Sequence, residues 1–195
     1  KCMRMLVLGA GLQGAACAWD LLQSQGVTRV TIADLHTDRL PAFLAASRSE
    51  RLSVAQLDVN DHAAVRALMQ SHDAAMSALP YYFNGHMAAL AVEGNCHFSD
   101  LGGNTEIVLE QKKLHDRARD CGLSVIPDCG LAPGMVNILA AEGIRRLDEV
   151  ERVKVYVGGL PQHPEPPLNY QIVYSLEGAL DYYTTPSWIL RDGRP

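Results

Sequence analysis

Over the first 130 positions, short apolar runs alternate with longer stretches of helical spacing. RMLVLG (4–9), VTRVTIAD (27–34), SVAQLDV (53–59), HDAAMSALP (72–80), CHFSDLGG (96–103) and LSVIPDCG (123–130) read as strands. Their near-continuous apolar character is that of strands buried on both faces. The segments ACAWDLLQSQG (16–26), TDRLPAFLAAS (37–47), NDHAAVRALMQS (60–71), NGHMAALAVEGN (84–95) and TEIVLEQKKLHDRARDCG (105–122) read as helices. Gly26 is the expected C-cap of the first helix, and Asn60 or Asp61 the N-cap of the third. Strict alternation of strand and helix predicts an α/β fold, a parallel sheet with helices on both faces.

The pattern changes after Asp128. LAPGMVNILAAEGIRRL (131–147) gives one more helix. Then 150–160 and 169–175 alternate apolar and polar positions across the proline-rich loop 162–168, 177–184 suits a short helix, and 187–193 another strand. Alternation marks a sheet with one wet face. The expected organisation is a first domain over 1–128, followed over 129–195 by the start of an α+β domain with an antiparallel sheet. The last turn signal lacks a return strand, so the domain is expected to continue beyond residue 195.

Gly9, Gly11 and Gly14 follow the first strand and open the first helix as G-x-G-x-x-G. Asp34 closes the second strand about 20 residues further on, where the dinucleotide-binding Rossmann unit keeps its ribose-binding acid. In that reading Gly9 makes the turn, Gly11 admits the pyrophosphate, Leu12 and Gln13 offer backbone N–H groups, and Gly14 lets helix approach strand. A carboxylate at 34 accepts hydrogen bonds from a free 2′-OH and repels a 2′-phosphate, so the expected cofactor is NAD; His36 and Arg39 lie near enough in sequence to soften that repulsion.

Ligands of such sheets bind beyond the carboxyl ends of the strands. That edge offers Asp58 and Val59 toward the adenine, with N-capping the alternative role for Asp58. Ser77, Ala78, Leu79 and Pro80 fall beside ribose and pyrophosphate, and Leu101, Gly102 and Gly103 near the nicotinamide. Asp100 and Asp128 are candidate catalytic carboxylates, or turn-capping groups. Tyr82, Asn169 and Tyr170 are candidate substrate contacts, with packing the alternative for each tyrosine.

Composition narrows the partners. The chain has 195 residues, a net charge of -5 and 48% hydrophobic residues, which disfavours nucleic acid. No run is long enough for a membrane helix, and the opening residues lead straight into a strand, so a cytoplasmic protein is expected. Cys2, Cys17, Cys96, Cys121 and Cys129 form no CxxC pair or zinc spacing; they read as free thiols, and no metal site is expected.

The stretches GAGLQG, SALPYYFN, FSDLGGN, IPDCGLAPGM and PPLNYQIVYSLEG together resemble the saccharopine dehydrogenase family, most closely its lysine 6-dehydrogenase-like members. The resemblance runs through nearly the whole chain. It implies a Rossmann domain followed by a catalytic and dimerisation domain, a homodimer, and a complete chain nearly twice this length whose C-terminal part returns to the first domain. It also implies an NAD-linked reaction on a C–N bond of an amino-acid substrate: oxidation of the lysine ε-amine to allysine and ammonia, or alternatively a saccharopine or carboxynorspermidine reaction. Gln171 stands where the resemblance implies a lysine. A dinucleotide-sensing protein that has lost the reaction is the rival class.

Overall fold

The structure, a computed structural model, describes residues 2–172, 176–186, 189, 191–192 and 194. These fall into two units, residues 1–149 and 150–195, and each is described by itself.

The first unit is built on β1 (Met3–Leu8), β2 (Val27–Asp34), β3 (Leu52–Gln56), β4 (Ala74–Ser77), β5 (His97–Asp100) and β6 (Val125–Ile126). They form one sheet in the order β3-β2-β1-β4-β5-β6, every pairing parallel. Two halves wound outward from β1 give the strand order of dinucleotide-binding domains. Alternate residues of β1 feed two separate cores. Leu6 and Leu8 join Val65, Met69, Met87, Ala88 and Ala91 from α3 (His62–Gln70) and α4 (Asn84–Glu93). Val7 joins Ala15, Ala18, Leu22 and Leu44 from α1 (Leu12–Gln23) and α2 (Ala42–Ala45).

The register sets the site. Ala33 lies opposite Leu8, Leu8 opposite Ser77, and Ser77 opposite Asp100. The chain therefore leaves four neighbouring strands along one row, and Gly9, Asp34, Ala78 and Leu101 all emerge there.

Several expected boundaries move, each for a visible reason. Helix α1 stops at Gln23 with an extended Ser24 as its C-cap, so Gly26 does not cap it. Leu21 O accepts from the Ser24 N–H at 3.1 Å, and Leu22 O from the Arg51 guanidinium, which also donates to Ser24 O at 3.0 Å and to Val27 O in β2 at 2.7 Å, a cation placed at the negative helix end. The helix expected over 37–47 is a 3₁₀ turn (Thr37–Arg39) and the short α2, divided at Pro41. The helix expected over 105–122 is α5 (Thr105–Lys112) and α6 (His115–Asp120). Between them the Lys113 and Leu114 N–H groups reach back only three residues, to Glu110 O and Gln111 O, tightening the turn. Asp61, one of the two expected caps, holds the start of α3 by accepting from Ala64 N at 3.0 Å. Helix α7 (Met135–Arg145) closes the unit.

In the second unit, α8 (Leu176–Thr184) stands where a short helix is expected. The expected antiparallel sheet is not found among the described residues. Residues 150–160 carry no strand pairing, and Val153, Val155, Tyr156, Val157 and Leu160 are all exposed. A strand exists only through a ladder partner, and the alternating pattern finds none there. Part of the second expected strand (173–175) and most of the third (187–193) lie outside the described residues.

Candidate cofactor and active site

At the β1–β2 end the site is made by backbone. Gly9 turns at φ +95°, and its N–H donates to Ala33 O at 2.8 Å. A β-carbon there would press on Ala78 O at 3.1 Å. At Gly14 it would collide with the carbonyl oxygen of Gly9, so α1 sits on the turn only because that position is bare. Gly11 differs: a β-carbon built on it meets nothing within 4 Å. No contact within the protein requires glycine at 11; the space above it is open. Gly11 is also the N-cap of α1, with no side-chain cap and no acid in the first turn. The N–H groups of Leu12 and Gln13 thus end the helix with neither side-chain oxygen nor carboxylate against them, an arrangement that suits a phosphate.

Asp34 is tied into this loop. Its carboxylate accepts from Ala10 N at 2.6 Å and from His36 N at 2.9 Å, one bond to each oxygen. Each oxygen keeps a further lone pair for a ribose diol. Asp58 lies one loop away, where Leu57 N pairs with Asp34 O at 2.9 Å. It does not cap α3; it bonds the backbone and side-chain nitrogens of Asn60, both at 2.9 Å, and remains exposed beside the half-buried Val59. The glycine loop, Asp34 and the Ser77–Pro80 segment fit a nicotinamide dinucleotide.

At the β5–β6 end the site is made by side chains. Asp100 is 0% exposed. One carboxylate oxygen accepts from Gly102 N at 2.7 Å and Asp128 N at 3.2 Å, the other from Gln111 Nε2 at 2.6 Å. Its own carbonyl accepts from Cys129 N at 2.8 Å. No face of this carboxylate is open, and its donors tie the segments after β5 and β6 to α5. Ser77 is equally buried and donates to Asn84 Oδ1 at 2.8 Å.

Asp128 joins that network through its backbone N–H, and its side chain points elsewhere. It sits at φ +60°, and its Oδ1 occupies the space that a β-carbon on Gly102 would need. The side chain is half-buried. Burial, and then the neighbouring Asp100 charge, push its carboxyl above the usual carboxylate range, opposed by the Gly103 N–H. Beside it Ile126, Pro127, Gly130, Met135, Ile138 and Leu139 line a largely apolar concavity of about 500 Å³. The Cys129 thiol is also pushed up, by burial and the same two carboxylates.

Tyr82 is exposed and packs edge-on to Tyr81 and obliquely on Phe83. Tyr81 lies against Gly103, whose added β-carbon would come within 2.9 Å of it; of the two tyrosines it is the one tied to the site, and sequence reasoning passed it over. Asn169, at φ +50°, and Tyr170 belong to the second unit. Gln111 and Asn84 were also missed. The available signal was a polar residue on the inward face of a helix: Gln111 falls four positions after Ile107 and seven before the buried Ala118.

Comparison with known proteins agrees with this geometry. Residues 5–126 match the family model of the saccharopine dehydrogenase NADP binding domain, and residues 130–195 that of the saccharopine dehydrogenase C-terminal domain. The NADP(+), L-glutamate-forming saccharopine dehydrogenase of Pyricularia oryzae is 28% identical over 97% of this chain and 42% of its own length. The mitochondrial alpha-aminoadipic semialdehyde synthase of Mus musculus is 28% identical over 98% of this chain and 21% of its own. The apo L-Glu-forming saccharopine dehydrogenase of Saccharomyces cerevisiae superposes with a TM-score of 0.73 at 23% identity, over 91% of this chain and 40% of the other. The chain thus spans about two fifths or less of these relatives. With both family models matched in sequence order across nearly its whole length, the chain belongs to the saccharopine dehydrogenase family.

Proposed function

We propose that the protein is an NAD-dependent oxidoreductase acting on a C–N bond, and that its reaction is oxidation of the lysine ε-amine: hydride leaves the ε-carbon for NAD, water adds to the resulting iminium, and ammonia leaves to give allysine. Asp34 carries the cofactor choice. Its carboxylate, held by Ala10 and His36 N–H, would accept hydrogen bonds from a ribose diol and repel a 2′-phosphate. The family model and the fungal relative are named for NADP; this site favours the unphosphorylated ribose.

A nicotinamide dinucleotide held by the glycine loop and Asp34 supplies the hydride acceptor. The chain itself must position the amine and take the proton released as water adds. Asp128 suits that role, because its carboxylate faces Gly102 and Gly103 beside the apolar concavity, with its proton affinity raised by burial and by Asp100. Asp100 lacks an open face, so it holds and tunes Asp128 rather than taking the proton itself. The methylenes of a lysine side chain match the apolar lining. Saccharopine as donor is the second reading, favoured by the names of the relatives. Assembly as a homodimer is part of the proposal, and sedimentation of the full-length protein tests it.

The test is nicotinamide absorbance with the full-length protein, NAD, and a panel of lysine, saccharopine and carboxynorspermidine. NADH formation and ammonia release with lysine are expected. NADH with saccharopine alone overturns the substrate; none with any of them points to the dinucleotide-sensing class.

A further inference from the structure

We propose that Gln111 is a positioning residue for Asp128, acting through the buried carboxylate of Asp100. The inference rests on the reading of Asp128 as the proton acceptor and extends it to a buried residue of helix α5.

Gln111 is 3% exposed, on α5. Its amide nitrogen donates to Asp100 Oδ2 at 2.6 Å and lies 3.5 Å from Asn84 O. Its amide oxygen is buried without a hydrogen-bond partner. Burying an amide with half its capacity unused is costly, so the group's contribution here is the N–H. Turned the other way, the amide would set oxygen against two acceptors. The bond fixes Asp100, and Asp100 fixes the site. Its other oxygen accepts from both Gly102 N and Asp128 N, drawing together the turns that follow β5 and β6. Those turns hold Gly102 at φ +74° and Asp128 at φ +60°, a conformation that a residue with a β-carbon seldom adopts unaided. Asp128 is thereby aimed across Gly102. Asp100 also acts through its charge, the second cause of the raised Asp128 carboxyl after burial. Asn84, which accepts from Ser77, extends the same network to the end of β4. A neutral acceptor at 100 would keep the turn and lose the charge; an apolar residue at 111 would keep the packing and lose the anchor.

Two variants of the full-length protein separate these roles. Asp100→Asn is expected to fold, because the Gln111 amide can turn to offer its spare oxygen. In protein labelled with carboxyl-13C aspartate, the Asp128 resonance is assigned by its loss in Asp128→Asn. Its titration midpoint should fall in Asp100→Asn, as the neighbouring like charge is removed. Gln111→Met should lower kcat at least about fivefold while the NAD dissociation constant stays within about twofold. A midpoint that stays put, or Gln111→Met turning over at the wild-type rate, overturns the proposal. Should Gln111→Met fail to fold in a thermal melt, Gln111→Asn, whose shorter amide stops short of Asp100, decides in its place, with the same fall in kcat expected and a wild-type rate overturning the proposal. Failure of the underlying reading is seen separately: Asp128→Asn with full turnover removes Asp128 from the chemistry whatever the midpoint does.

Discussion

At the β1–β2 end of the sheet the site is made by leaving side chains out: Gly9, Gly11 and Gly14 clear a path, and one carboxylate, Asp34, closes it. At the β5–β6 end it is made by packing side chains in, with Asp100, Gln111 and Asn84 buried and bonded beneath Asp128. The first end suits a ligand recognised by shape and phosphate charge. The second suits chemistry, where a proton-accepting group must be held at one place and one proton affinity. The two ends should therefore fail differently when altered.

The largest effect is expected within the glycine loop itself, where two neighbours separate folding from binding. Gly14→Val drives a side chain into the Gly9 carbonyl; it should give insoluble protein, or a Tm lowered by more than about 10 °C. Gly11→Val projects into open space; its Tm should stay within about 3 °C of wild type, while calorimetry shows NAD affinity reduced at least about 100-fold. Loss of the fold in Gly11→Val, or unchanged affinity, would break the assignment of that space to the pyrophosphate.

Asp34→Ala comes next. The wild type should prefer NAD over NADP, and the variant should shrink that preference by about tenfold, the gain falling on NADP as repulsion is removed. Equal affinities in the wild type would show that Ala10 and His36 hold Asp34 for the loop's sake alone.

The smallest effect lies away from both ends. His72 is buried between Thr31 Oγ1 and Leu68 O, each at 2.8 Å. Burial holds its imidazole below the ordinary histidine range. The unfolded chain therefore binds the proton more readily, so the stabilisation is present above about pH 6.5 and lost as pH falls below it. The Tm gap between wild type and His72→Gln should narrow by about 2–4 °C from about pH 7.5 to pH 5.5. A gap independent of pH would mean that His72 does not titrate with folding.

The same contrast between the two ends governs what was legible in the sequence. Glycines at fixed offsets, a strand before and an acid after form a local signal, and the six parallel strands with their glycine turn stand where that pattern puts them. The buried end depends on contacts between residues far apart in sequence: Gln111 with Asp100, Asp100 with Asp128. Reading each acid on its own left Asp100 and Asp128 as equal candidates; only the register and burial part them. Helix α1 shows the same limit, since Gly26 is the local C-cap signal and Arg51, distant in sequence, does the capping. Residues 150–160 show the opposite failure, a clean local alternation for which the described residues supply no partner strand.

The central claim, oxidation of an amine with Asp128 taking the proton released as water adds, is tested most directly by the pH dependence of lysine-driven NADH formation in full-length wild type and Asp128→Asn. A free ε-amine has a pKa near 10.4, so about one molecule in 2,500 is neutral at pH 7. The wild-type rate should climb about tenfold per pH unit between about pH 7 and pH 9, as the neutral amine that gives up hydride forms in solution, and Asp128→Asn, left without the acceptor for the proton released as water adds to the iminium, should lower kcat at least about tenfold across that range with NAD affinity unchanged. An Asp128→Asn variant that matches wild type at every pH would contradict the account and reduce Asp128 to a residue that holds a turn.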